Sequence, residues 1–283
     1  MERMVETVDG VRATESFGRA GDTALVLVMG ATASMLGWPD AFCTALADQN
    51  LRVIRFDHRD TGRSTTVPPG AARYKIEDMA GDIVTILDAY GIERAHLAGM
   101  SLGGYLSQMV ALDQPERIAS LCLIASEPLG WDGAPLPHIS DAFMDHFRAL
   151  GTLDWSDAVA VTEFLVESDR LCAGPGTAFD VQAARTRVGQ VLARTDSPAS
   201  MFNHATLDSA RDWTGRFRDI ACPVLVVHGE ADPILPPENG RAIAAGIEGA
   251  ALKVLPGVGH EIPPEQIRFL ASRIARHVGA AGA

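Results

Sequence analysis

Ala95-His96-Leu97-Ala98-Gly99-Met100-Ser101-Leu102-Gly103-Gly104-Tyr105-Leu106 is the stretch of this chain that decides its fold. The first four residues are apolar enough for a buried strand, the last begin a helical pattern, and only Gly99-Met100-Ser101-Leu102-Gly103 lies between them. Three fixed residues in the pattern Gly-x-Ser-x-Gly, each at about 7% frequency, would meet by chance in roughly one chain of this length in ten. The context is therefore what carries weight. A chain that turns from strand to helix over so few residues is strained at the apex, and a glycine two positions either side lets helix and strand pass closely. Such a turn lifts the Ser101 hydroxyl clear of the sheet as a nucleophile.

Outward from this turn, short apolar runs recur at 24–29, 53–56, 96–98, 120–125, 223–228 and 251–255. They are nearly continuous in Val, Leu, Ile and Ala, as parallel strands covered on both faces are. Helical patterns at 39–49, 76–90, 102–113, 238–247 and 264–278 follow nearly every strand, the βα alternation of a doubly wound sheet. Gly91, Gly249 and Gly279 stand where helices should stop. Residues 4–8 and 12–17, joined by Asp9-Gly10, read as an edge hairpin. Between 127 and 217 the alternation gives way to helical patterns only, after the turn-rich entry Pro128-Leu129-Gly130-Trp131-Asp132-Gly133-Ala134-Pro135. The expected class is α/β, with a mostly parallel core from residues 1–127 and 217–283 and an inserted helical lid, or cap, at 128–216. Residues 279–283 read as a frayed tail.

A net charge of -12 with scattered arginines repels phosphate backbones, so nucleic acid is not an expected partner. No run approaches the roughly 18 apolar residues that span a bilayer, and the start, Met1-Glu2-Arg3-Met4-Val5-Glu6, lacks the apolar core of a secretory signal. A cytoplasmic protein without a membrane partner is expected. Cys43, Cys122, Cys172 and Cys222 have neither the spacing of a zinc site nor that of a disulfide framework, and read as core thiols.

A serine hydroxyl is a weak nucleophile near neutral pH and needs a base within reach and an acid that orients the base. Two loops at the carboxyl ends of later strands offer them, the place where catalytic groups gather in such sheets. His228-Gly229-Glu230-Ala231-Asp232 supplies Asp232, and Gly257-Val258-Gly259-His260-Glu261 supplies His260. The order Ser, Asp, His fits the strand-turn-helix serine. His228 reads as core, His277 as exposed, and Glu127, after the strand at 120–125, is the rival acid. The developing oxyanion needs two N–H donors; Leu102 at the helix start is one, and the loop Gly30-Ala31-Thr32-Ala33-Ser34 offers Ala31 as the other. Asp57-His58-Arg59-Asp60-Thr61-Gly62-Arg63-Ser64 reads as an ion-paired loop bracing the rim, with Gly62 making a special turn. In the lid, Trp131, Phe147, Trp155 and His204 are candidates to touch a substrate.

Taken together, these motifs resemble the α/β-hydrolase family over nearly the whole core. Val28-Met29-Gly30, Ser34-Met35-Leu36-Gly37-Trp38-Pro39-Asp40 and Arg52 to Thr66 are similar to the aclacinomycin methylesterases, which hydrolyse a methyl ester on an anthracycline, an aromatic polyketide. The resemblance implies an ester hydrolase with Ser101, Asp232 and His260 as triad and Ala31 and Leu102 as oxyanion donors. The run Leu102-Gly103-Gly104-Tyr105 and the lid depart from that pattern, which bears on the substrate more than on the reaction. A small-molecule ester is the expected partner, no cofactor or metal is expected, and homo-oligomerisation stays open. The same three residues also serve lactonases, carbon–carbon bond hydrolases and cofactor-free haloperoxidases or perhydrolases. A non-catalytic ligand-binding protein on this scaffold is the remaining reading.

Overall fold

In the computed structural model, which describes residues 2–176 and 178–282, eight strands form one sheet in the order β1-β2-β4-β3-β5-β6-β7-β8. The hairpin β1 (Glu2–Thr7) and β2 (Gly10–Phe17) pairs antiparallel and adds antiparallel to β4 (Leu51–Phe56). From there β3 (Thr23–Val28), β5 (Ala95–Met100), β6 (Ile118–Ile124), β7 (Val224–Gly229) and β8 (Ala251–Leu255) run parallel, as their unbroken apolar character predicts.

Because side chains alternate across a strand, each central strand feeds two cores. Val26 and Val28 of β3 face α2 (Ile76–Ala89) and α3 (Leu102–Asp113), where Met79, Ile83, Leu106 and Met109 are fully buried. Ile243 of α7 (Glu238–Gly246) joins the same core. Leu25 and Leu27 face the opposite layer, formed by Phe42 and Leu46 of α1 (Asp40–Ala47) and Leu270 and Ile274 of α8 (Ile267–Ala281).

Between β6 and β7 the described residues contain helix and no strand: α4 (Asp141–Arg148), α5 (Ala158–Cys172), α6 (Val181–Leu192) and a 3-10 stretch at Pro198–Thr206. Side chains of Ser140, Asp157 and Asp180 cap α4, α5 and α6.

Three expectations change. Gly279 does not end the last helix; α8 runs on to Ala281, because one glycine costs only about 1 kcal/mol and the alanines after it favour helix. The expected tail is thus mostly helical, with Ala283 outside the described residues. His277 is half-buried, its Nε2 3.0 Å from the Leu121 carbonyl. All four cysteines are free, but only Cys43 and Cys122 are buried. No described helix is long and apolar enough to cross a membrane.

Candidate active site

At the end of β5 the backbone reverses into α3 with Ser101 at φ 53° and ψ -123°, a region that a side chain rarely enters. The Ser101 amide donates to Ile124 of β6, and its carbonyl accepts the Ser126 hydroxyl at 2.9 Å, which fastens the apex on both sides. Gly103 explains the tightness: a Cβ there would stand 2.6 Å from the Met29 carbonyl oxygen and closer still to that of Val28. The loop after β3 then crosses directly over the serine, so that a Cβ on Gly30 would meet Ser101 Cβ at 3.2 Å.

Asp232 lies in the loop after β7, almost fully buried. Its Oδ1 accepts the amides of Ile234 and Leu235, each at 2.9 Å, and its Oδ2 stands 2.8 Å from His260 Nδ1. Burial alone would raise this carboxyl, but the charge of His260 and the hydrogen bonds around it hold it far below the ordinary aspartate range. Ionised Asp232 therefore accepts a hydrogen bond from the Nδ1–H of His260 and leaves Nε2 as the accepting nitrogen. His228, fully buried, directs its Nε2–H to the Leu235 carbonyl at 2.6 Å and lies 3.5 Å from Asp232 Oδ2. It shapes the aspartate loop from behind.

The loop bearing His260 follows β8 and is stitched to the end of α5. The His260 amide donates to Cys172 O (2.8 Å), Gly176 N–H to Gly257 O (2.8 Å) and Gly174 N–H to the Glu261 carboxylate (2.7 Å). On its other side Ala231 N–H donates to Val258 O.

Ser101 and His260 line one cavity of about 580 Å³, together with Met29 to Ser34. Phe143 and Phe147 of α4, Leu165 of α5, Phe179, Val188 of α6 and Phe202 form much of the apolar wall, with an Asp169–Arg187 ion pair set into it. Half-buried Cys172 also lines it, yet desolvation, with the carboxylates of Asp169, Asp232 and Glu261 nearby, pushes its thiol far above the nucleophilic range. A second hollow of about 480 Å³, edged by Arg12, Arg59, Asp60 and Tyr74, shares no lining residue with the first. Both of its buried guanidinium groups are already paired with Asp82.

Of the residues singled out by sequence, Ser101, His260, Ala31 and Phe147 line the cavity, Asp232 stands behind His260, and Leu102 opens α3. Neither the Ala31 nor the Leu102 amide joins a loop hydrogen bond among the described residues. Glu127 faces His138 at 3.2 Å and not His260. Trp131 is turned away, its Nε1 on Ala134 O and its ring against Phe217; Trp155 packs on Phe202 one layer outside the cavity. His204 is buried behind the cavity with both ring nitrogens taken by backbone groups. These three sit outside the wall because each is engaged elsewhere: Trp131 against Phe217 of the core, Trp155 against Phe202, and His204 on the backbone of Thr32 and Arg59. Phe179, Asp169 and Arg187 were missed, although Ala184, Val188 and Val191 recur along α6 at helical spacing. The loop at 57–64 is ion-paired as expected: Asp57 to Arg194 at 2.6 Å and Arg59 to Asp82 at 2.7 Å, with Gly62 at φ 52°.

The family model for the alpha/beta hydrolase fold matches residues 23–266, and the chain belongs to the α/β-hydrolase family. Within it the chain is 32% identical to rhodomycin D methylesterase DauP of Streptomyces sp. (strain C5), over 99% of this chain and 98% of that one. Its identity to rhodomycin D methylesterase DnrP of Streptomyces peucetius is 31%, with the same coverage. A solved structure of a hydrolase from Pseudomonas aeruginosa PA01 is similar at a TM-score of 0.72 and 26% identity, covering 99% of this chain and 97% of that one.

Proposed function

We propose that this chain is a serine-dependent carboxylic ester hydrolase acting on methyl esters of bulky, apolar acids such as polyketides. The observation that carries the reading is the 2.8 Å hydrogen bond between Asp232 and His260 at a cavity that Ser101 also lines. Ser101 Oγ attacks the ester carbonyl carbon while His260 Nε2 takes its proton, and the N–H groups of Ala31 and Leu102 receive the oxyanion. The carbon–oxygen bond to the alcohol breaks, and the alcohol leaves with the proton from His260. Water then adds to the acyl-enzyme, His260 takes a proton from it, and the acid departs as Ser101 recovers its own. Asp232 holds the imidazole in the tautomer that both halves require. Likeness to two methylesterases over nearly the full chain supports the methyl ester, and the phenylalanine-rich wall supports a bulky acid.

The test combines fluorophosphonate labelling with turnover of methyl esters of bulky aromatic acids, p-nitrophenyl esters and lactones. Labelling at Ser101 is expected, with the bulky methyl esters preferred, and Ser101→Ala and His260→Ala each lower turnover by at least about a thousandfold while remaining folded. Near-normal turnover in Ser101→Ala would refute the serine chemistry. Serine-dependent turnover of lactones alone would keep that chemistry and overturn the substrate.

A further inference from the structure

Two histidines outside the proposed triad grip the loop that crosses Ser101. His58, fully buried, has its Nε2 2.8 Å from the Met29 carbonyl. His204 has Nε2 2.7 Å from the Arg59 carbonyl and Nδ1 3.1 Å from the Thr32 amide nitrogen. A carbonyl only accepts and an amide only donates, so His204 carries its proton on Nε2 and receives the Thr32 N–H on a bare Nδ1. That requires a neutral ring, and burial holds His204 below its ordinary range. The two rings meet edge to face at 6.0 Å.

Peptide groups are rigid planes, so the loop is a short series of hinged plates. The plate carrying Met29 C=O is held by His58, and the plate carrying Thr32 N–H is held by His204. Between them lies the single plate that carries the Ala31 N–H. Gly30 would otherwise let that plate swivel, since it has no side chain to restrict it. Thr32 itself sits at φ 61°, a left-handed conformation that a threonine keeps only when its surroundings impose it. His204 arrives from the 3-10 stretch of the insertion, 172 positions along the chain, and its neighbour Asn203 is anchored to Asp60 at 2.9 Å and to the Gly70 amide at 2.7 Å.

We propose that His204 is a positioning residue, which holds the Ala31 N–H in aim at the oxyanion by clamping the next peptide plane through Thr32. This rests on the ester-hydrolase reading of Ser101 and Ala31. The inserted segment thereby completes the oxyanion site as well as walling the cavity.

Two conservative variants separate the two hydrogen bonds. His204→Asn keeps an acceptor where Nδ1 lies, and His204→Gln keeps a donor where Nε2 lies. With a Ser101-dependent ester as substrate, His204→Gln should lower kcat by about 10- to 100-fold, short of the loss from deleting an oxyanion donor outright, with KM within about threefold of the parent. His204→Asn should stay within about threefold in kcat. Affinity for a phenylboronic acid, whose tetrahedral adduct on Ser101 reports the oxyanion site, should follow kcat in both. Equal kcat in the two variants, or a larger loss in His204→Asn, would overturn the proposal, because a purely structural histidine would depend as much on its Arg59 bond. Loss of Ser101 dependence in the parent protein would instead overturn the reading beneath it.

Discussion

Ser101 occupies backbone that costs a side chain about 1–3 kcal/mol, and its neighbours hold it there. Gly103 contributes by what it lacks. Any Cβ at 103 would collide with two carbonyl groups of β3 and its loop, and backbone cannot swing aside as a side chain can. Gly103→Ala should therefore destabilise the protein by about 3 kcal/mol or more, the upper end of overpacking costs, as read from urea unfolding. Unchanged stability would mean that α3 can back away from the sheet. Asp232→Asn should lower kcat by roughly 10⁴, because an amide stabilises the wrong imidazole tautomer, with the fold retained in circular dichroism. These residues were legible in the sequence because each role demands one identity at one spacing. The proposed Ala31 and Leu102 donors are backbone groups and leave no such mark. The clamp of His204 on Thr32 joins positions too far apart in the chain for any local pattern to connect them.

At the scale of elements, the strands and core helices were readable because continuous apolar runs and 3.6-residue periodicity record burial directly. The insertion was readable only as helix. Its contacts with the core are made by loop amides and single charged side chains, which follow no period. Arg194, just past α6, is one of them: it pairs with Asp57, whose side chain is fully shielded and whose carboxylate also accepts the Met35 and Arg63 amides at 2.7 and 3.0 Å. It also reaches Glu2 of β1 at 2.9 Å, so one guanidinium ties the segment between β6 and β7 to the hairpin and to the loop after β4. Arg194→Ala leaves a buried carboxylate without its countercharge and should destabilise by about 3 kcal/mol in chemical unfolding. Adding Asp57→Asn to that variant should restore part of the loss; a strictly additive double mutant would show that the pair is not coupled.

Across the whole molecule, burial sets how the protein responds to acid. Desolvation lowers both His58 and His96 from 6.5 to about 4. Between those values the unfolded chain binds protons that the folded chain refuses, so the stability these two contribute is complete above pH 6.5 and drains as pH falls toward 4. Glu77 follows at lower pH. Although burial opposes it, hydrogen bonds from Ser209, the Ala210 amide and Trp213 hold it at about 2 instead of 4.5, and its contribution fades through that interval. Asp57, Glu127 and Asp169, raised by burial, act in the opposite sense. A difference measurement isolates the histidine part: His96→Asn, whose amide can keep the bond that Nδ1 makes to Ser120, should lose less Tm than the parent between pH 6.5 and 4. Parallel Tm curves would show that His96 is not a source of the acid sensitivity. Net charge and composition announced an acidic protein, but burial of single histidines is a property of the assembled fold and could not be read along the chain.

The stitching of α5 to the loop of His260 has a consequence for inheritance. Cys172, Gly174 and Gly176 meet Gly257, Gly259 and His260 through backbone bonds and glycine-tight contacts, and Gly174 meets the Glu261 carboxylate, so the wall of the cavity and the setting of the histidine are cut from one piece. Relatives that diversify by exchanging this insertion cannot trade it as an independent module. A graft that brings a foreign 172–176 must bring its matching 257–261, or it will arrive with a new pocket and a misplaced His260.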